Sequence, residues 1–267
     1  MQNKKNLKGF TLIELAISMV VIGFIIGGVM LAQDMIEVSR LNGMAAEMQK
    51  VQTAYNEYKQ KYNQTPGDDK NAFSYFSTDC AAAAEDCNGN GDKDLRDTYD
   101  MAGTHREYLM FWRHLYLAKL YNQNLTGSLT APLVIGTNLP KTNIDGATFV
   151  ANTWRKVCYY LAHTTDEDLG LGYCESGKGL GVRANMLSVN SIIADGIPSG
   201  ATLTPTSAQI IDAKIDDGKP NAGNIIASAR GECVDSTQEI FNDIEATYNV
   251  STASENCYIA AILEEPV

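Results

Sequence analysis

Glu14 is a lone carboxylate inside an apolar run that otherwise continues from Phe10 to Ala32. A carboxylate in a membrane helix is disfavoured by about 2.5 to 3.5 kcal/mol on insertion scales, so it needs a cation to pair with. Farther along, Asp86-Cys87-Asn88-Gly89-Asn90-Gly91-Asp92-Lys93-Asp94-Leu95-Arg96-Asp97 sets side-chain oxygens at alternate residues around two glycines. Hard oxygen donors with that spacing suit calcium. Asp86, Asn88, Asn90, Asp94 and Asp97 fall at places 1, 3, 5, 9 and 12 of a calcium loop, Asp92 lies between them, and Gly91 stands sixth, where the chain turns sharply. The last place holds Asp rather than the longer bidentate Glu, and the flanks do not form a clean helix pair. The pattern therefore predicts a calcium loop over 86–97 of related geometry, not an EF-hand. A plain solvated acidic turn is the competing reading.

Six cysteines, Cys80, Cys87, Cys158, Cys174, Cys233 and Cys257, form a third group. Six allow fifteen pairings. Nearest-neighbour pairing joins Cys80 to Cys87, Cys158 to Cys174 and Cys233 to Cys257, each closing a modest loop that contributes roughly 2 to 4 kcal/mol. Zinc is the rival, weakened by the lack of any CxxC or CxxH pair. Catalysis finds little support: His105, His114 and His163 are scattered, and no Gly-x-Ser-x-Gly, phosphate loop or dinucleotide fingerprint occurs. Each histidine reads as a surface or packing residue, and the chain does not read as an enzyme.

The elements that position these groups follow from periodicity. The run Phe10 to Ala32 is 23 residues long, which at 1.5 Å per residue covers about 34 Å and can cross a hydrocarbon core of ~30 Å. Lys4, Lys5 and Lys8 precede it while Asp34 and Glu37 follow. That lysine bias puts the N-terminus in the cytoplasm and the rest outside, where disulfides persist. Leu41, Met44, Ala45, Met48, Val51, Tyr55, Tyr58 and Tyr62 then recur at steps of three and four, an amphipathic helix continuous with the span. It is expected to stop at Thr65-Pro66-Gly67-Asp68, because the residue before proline avoids the helical region. Gly23, Gly27, Gly28 and Gly43 are its weak points, small enough for close helix approach and for local melting.

Beyond residue 65 the chain has the size of one soluble domain. Thr104-His105-Arg106-Glu107 reads as a helix start, followed by Tyr108, Phe111, Trp112, Leu115, Leu117, Leu120 and Tyr121 at helical spacing. These aromatics are read as core packing under a sheet rather than as a sugar or base platform. Strands are expected over 131–135, 148–150, 157–162, 179–183 and 259–263, and a helix from Thr204-Pro205 to about Asp217. The head is therefore α+β.

At Lys8-Gly9-Phe10-Thr11-Leu12-Ile13-Glu14-Leu15 the sequence resembles the signal of type IV prepilins and the pseudopilins of type II secretion. The resemblance covers about residues 4 to 35. It implies that a prepilin peptidase cuts between Gly9 and Phe10, that Phe10 is N-methylated, and that Glu14 neutralises the N-terminal amine of a neighbouring subunit. It also implies a pilin-like fold, a long N-terminal helix packed on a head with an antiparallel β-sheet, and, as partners, other pilin subunits in a helical filament and an inner-membrane assembly platform. The expected divisions are a leader over 1–9, a membrane or filament-core half-helix over 10–32, an amphipathic half over 33–65 and a periplasmic or extracellular head over 66–267. The family often carries a disulfide-bounded loop near the end of its head, which Cys233 to Cys257 resembles. Calcium loops are also known among its heads. A secretory signal peptide and an ordinary anchor are the bland alternatives. They are opposed by the length of the apolar run, the missing Ala-x-Ala site and the embedded Glu14.

Loss of the leader removes three lysines and leaves 18 basic against 32 acidic residues, a formal charge of −14. Such a surface does not by itself suggest nucleic-acid binding, although a local basic patch around Arg155 and Lys156 leaves that partner open. Two functions stand foremost: a structural subunit along a filament shaft, and a tip-located subunit for adhesion or DNA uptake.

Overall fold

The computed structural model describes residues 10–95, 107–128, 133–155, 183–193, 198–220, 222–227, 233–235 and 246–264. The chain divides into two compact units, Met1–Arg40 and Leu41–Val267. Helix α1, Leu12–Tyr62, contributes to both. In the first unit its side chains are exposed throughout, and the window apolar enough to cross a membrane has no buried part. Water does not favour such a surface, so lipid or another protein must cover it.

In the second unit the same helix becomes one-sided. Leu41, Met44, Met48, Val51, Tyr55 and Tyr58 are buried at three- and four-residue steps, each contributing roughly 1.5 to 3 kcal/mol over its exposed state. The helix ends at Tyr62, short of the expected stop at Pro66, because Asn63 takes a left-handed conformation (φ 52°). Asparagine tolerates that region at the residue after a helix, so it ends α1 before proline is reached.

A four-stranded antiparallel sheet faces this helix, built from β1 (Ala147–Arg155), β2 (Arg183–Ser191), β3 (Ile225–Ala227) and β6 (Ile259–Glu264) in the order β1-β2-β6-β3. Phe149 pairs with Val189, Val189 with Ile259, and Ile259 with Ala227, which lines up one face of the sheet. That face joins α1 and helix α4 (Glu107–Leu117) in one core, where Phe111, Trp112 and Leu115 are buried. The aromatics of α4 are thus packing residues. Glu264, at the end of β6, accepts from Tyr55 Oη (2.6 Å) and pairs with Lys59, tying the last strand to α1. Smaller elements are α2 (Ala72–Phe76), α3 (Ala84–Cys87), α5 (Pro205–Ile215) and a two-stranded ribbon of β4 (Val234–Asp235) with β5 (Thr247–Tyr248). The architecture is α+β.

Several expectations need correction. Of the strand expected over 131–135, the described residues Leu133 to Ile135 form no strand; Ile135 makes only an isolated bridge to Leu139 across a turn at 136–138. Gly136 (φ 88°) bends the chain, and the Asn138 side-chain Oδ1 accepts from the Val134 N–H that a neighbouring strand would have used. The strand at 148–150 extends over all of β1, whereas 157–162 lies outside the described residues. Only Arg183 of 179–183 is described, and it opens β2. Helix α5 has Thr204 as its cap, accepting from Ser207 N at 3.1 Å, and ends at Ile215 rather than at about Asp217.

Candidate functional site

Two places in the chain carry chemistry, and each is built from a short local motif. At the start of α1, Thr11 is the residue before the helix and Glu14 lies in the first turn. The Thr11 N–H and hydroxyl both donate to Glu14 Oε2 at 2.8 Å, and the Glu14 N–H donates to Thr11 Oγ1 at 3.3 Å. This is a reciprocal capping box, which satisfies helix donors that would otherwise have no partner. Phe10 stands 85% exposed just ahead of it, and Gly9 lies outside the described residues. A Cβ placed on Gly23, Gly27 or Gly28 would meet nothing within 4 Å, so no packing among the described residues requires those glycines.

In the head, the turn after α1 gathers the second set. Asp68 accepts from Gly91 N at 2.5 Å and from Lys93 N at 2.6 Å, while Glu107 accepts from Asn90 N at 3.0 Å. Carboxylate oxygens of Asp68, Asp92 and Glu107 all lie within 4.8 Å of one another. Asp68 is 1% exposed and Glu107 3%, so two acids share a site with little water. Burial, reinforced by the charge of Asp92, holds the Asp68 carboxyl above the usual carboxylate range.

This set differs from the ligands expected over 86–97. Asp92 belongs to both. Asp86 lies exposed on α3, and the Asn88 side-chain Oδ1 accepts from Phe73 N at 2.8 Å. Asn90 accepts from Asp92 N (2.7 Å), Asp92 accepts from Asp94 N (2.8 Å), and Asp97 lies outside the described residues. In the sequence Asp68 belongs to the helix stop at Thr65-Pro66-Gly67-Asp68 and Glu107 to the helix start at Thr104-His105-Arg106-Glu107, whose capping Thr104 lies outside the described residues. The signal that could have joined them is the pair of glycines. A Cβ on Gly89 would sit 2.3 Å from Asp68 Cα, and one on Gly67 (φ 90°) would sit 2.4 Å from the Glu107 carbonyl oxygen. Substituting Gly67 by Ala is accordingly expected to lower stability by about 2 kcal/mol or more, from a strained φ and a backbone clash, read as a lower denaturation midpoint.

His114 braces the same corner. It is fully buried, accepts from Gly67 N through Nδ1 (2.9 Å) and donates from Nε2 to the Cys87 carbonyl (2.8 Å). Tyr58 stacks on its ring, and burial pushes its pKa down to about 4. His105 and His163 lie outside the described residues. The disulfide Cys80–Cys87 closes this corner, and Cys233–Cys257 ties the β4 approach to the segment before β6; Cys158 and Cys174 lie outside the described residues. A further carboxyl, Asp212, is buried on α5, accepts from Tyr248 Oη at 2.7 Å and is raised to about 6 by burial. Its neighbour Asp216 takes the Asn224 and Ile225 N–H groups, so this group stitches α5 to β3 and β5. Lys156 lies outside the described residues, so the basic patch finds no placement.

The exposed apolar helix is long enough to cross a membrane and so suits a membrane anchor, and it is joined to a folded α+β head. Residues 4–30 match the prokaryotic N-terminal methylation motif, the signature of the prepilin signal of type IV pilins and pseudopilins. That signature supports a pilin- or pseudopilin-like subunit, a structural class and not typically an enzyme. No curated protein and no solved structure matches the chain.

Proposed function

We propose that this chain is a filament subunit of the type IV pilus or type II secretion kind, cut by a prepilin peptidase between Gly9 and Phe10 and methylated on Phe10. The helix then anchors it in the inner membrane with the head outside, and assembly moves it into a periplasmic or extracellular filament. One observation carries this reading: the methylation motif at residues 4–30 coincides with a helix segment that none of the described residues buries. Intact mass from a host with and without prepilin peptidase tests it. Loss of residues 1 to 9 and gain of one methyl group on Phe10, only when the peptidase is present, is the expected result. An uncut chain, or a cut near Ala32, would overturn it. Antibody to the head then separates the two roles, labelling either the filament shaft or only its end.

We further propose calcium as the head's cofactor. Two things support it: the alternate oxygen spacing over 86–97, and the close approach of Asp68, Asp92 and Glu107. These are hard oxygen donors, and a divalent cation would offset the burial of Asp68 and Glu107 and the repulsion between Asp68 and Asp92. Millimolar calcium at one hundred times its dissociation constant should add about 2.7 kcal/mol of stability by mass action. Asp92→Asn should remove most of that gain, and equal melting temperatures in calcium and in chelator would refute the site.

A further inference from the structure

We propose that Cys80–Cys87 is a thiol–disulfide exchange site for a dithiol oxidoreductase, opened by attack at Cys80 with Cys87 as the leaving thiolate. The role stands whether or not the chain enters a filament. Two neighbouring residues of helix α4 bring their donors to this disulfide. Gly67 N–H donates to His114 Nδ1, so the ring carries its hydrogen on Nε2. That N–H donates to the Cys87 carbonyl at 2.8 Å, and Nε2 lies 4.0 Å from Cys87 Sγ. Beside it in sequence, Arg113 donates from Nη2 to the Asp79 carbonyl, one residue from Cys80. The Arg113 Nε–H is buried with no acceptor among the described residues. The corner thus holds a full positive charge and more donor capacity than a neutral disulfide uses, an environment that favours a thiolate.

Those donors decide the direction of exchange. A leaving thiolate departs faster when its charge is stabilised, and among the described residues only Cys87 has a side-chain N–H in reach of its sulfur. Cys80 is the more open of the pair, 6% exposed against none for Cys87, and it follows the exposed residues Ser77, Thr78 and Asp79. A thiolate of the reductant therefore attacks Cys80 Sγ, the new bond forming as the Cys80–Cys87 bond breaks and its electron pair leaves on Cys87. The reductant's second thiol then attacks its own first sulfur in the mixed disulfide, and Cys80 leaves with the proton that this thiol gives up. Two electrons pass from the dithiol to the protein, the reductant ends as a disulfide, and Cys87 stays a thiolate against His114. Cys233–Cys257 lies instead within the main apolar core, where no side-chain donor reaches either sulfur among the described residues. It serves as the internal standard.

The test treats the oxidised full chain with dithiothreitol or a thioredoxin-like dithiol protein, quenches in acid and maps the freed thiols by alkylation and mass. Cys80–Cys87 should open at least about tenfold faster than Cys233–Cys257. Glutathione, a monothiol, should stall the exchange as a mixed disulfide on Cys80. A second measurement reads the leaving group as the ultraviolet thiolate band of Cys80→Ser, less that of Cys80→Ser/Cys87→Ser. An ordinary thiol is only a few per cent ionised at about pH 7, whereas Cys87 should there be mostly thiolate. In the Cys80→Ser background His114→Gln, which keeps an N–H donor, should retain the band that His114→Phe loses. Equal or slower opening of Cys80–Cys87, glutathione on Cys87, or a Cys87 that stays a neutral thiol would each overturn the role. The exchange rates and the mixed disulfide are read on wild type, so they decide the matter even where a variant fails to fold.

Discussion

Replacing Glu14 by Gln is expected to leave the chain membrane-inserted and cut after Gly9 while reducing its incorporation into filaments at least ~100-fold. The expectation follows from where each charge ends up. In the proposed subunit, cleavage would create an amine on Phe10 at the edge of an apolar helix, and assembly would carry it among other apolar helices. Breaking one partner of a desolvated ion pair typically costs about 3 to 5 kcal/mol, because the remaining charge is stranded. Each 1.4 kcal/mol is a factor of ten, which yields the hundredfold figure and more. Glutamine keeps the shape and the carbonyl that Thr11 can donate to, so the capping box persists and only the charge is removed. Glu14→Ala should fail as badly and lose the box as well. Filaments counted by electron microscopy, alongside intact mass to prove cleavage, check the result. Wild-type filament levels from either variant would refute the pairing.

The N-terminal half of α1 was legible because one physical constraint dominates it. An apolar run of that length must be covered by lipid or protein, and a carboxylate within it is conspicuous against that background. The amphipathic half of α1 was legible for a similar reason, since Leu41 through Tyr58 repeat at a spacing that only one face of a helix satisfies. Strand β2 was missed because Asn185, Ser188 and Asn190 break its apolar alternation. In the fold all three are buried, with Asn185 bonded to Thr153 and to the Lys93 carbonyl, and Ser188 bonded to Val150 O and Asn190. Buried polar residues whose partners lie far away in sequence leave no local trace. The carboxylate corner was half legible on the same principle. Asp92 sits in a visible glycine-rich motif, but Asp68 and Glu107 reach it from 24 and 15 residues away, brought in by the backbone turns at Gly67 and Gly89. Spacing rules describe one loop at a time, and this corner is made of three segments.

His114→Phe is expected to destabilise the head by about 2 to 5 kcal/mol, even though phenylalanine fills nearly the same space. The ring nitrogens satisfy two buried backbone groups on separate segments, Gly67 N–H and Cys87 C=O, and phenylalanine leaves both without a partner at roughly 1 to 3 kcal/mol each. Protonation attacks the same contact, since a proton on Nδ1 ends its ability to accept. An unfolded histidine takes up its proton near pH 6.5, whereas folding holds His114 neutral down to about 4. The stability it contributes is therefore complete above pH 6.5 and is lost as the pH falls to about 4, by roughly 3 kcal/mol. Asp212 works against this in an overlapping window. Its carboxyl is raised to about 6, so the folded state binds that proton first and gains stability as the pH falls from 6 toward 4. The raised Asp68 carboxyl acts in the same direction as Asp212. Whole-protein acid sensitivity thus mixes opposing contributions, and the decisive quantity is the difference between wild type and His114→Phe. Denaturation followed by the fluorescence of buried Trp112 should show that difference largest above pH 6.5 and shrinking toward pH 4. A gap that stays constant across that range would mean that His114 titrates alike in both states, and that the brace between Gly67 and Cys87 does not depend on a neutral ring.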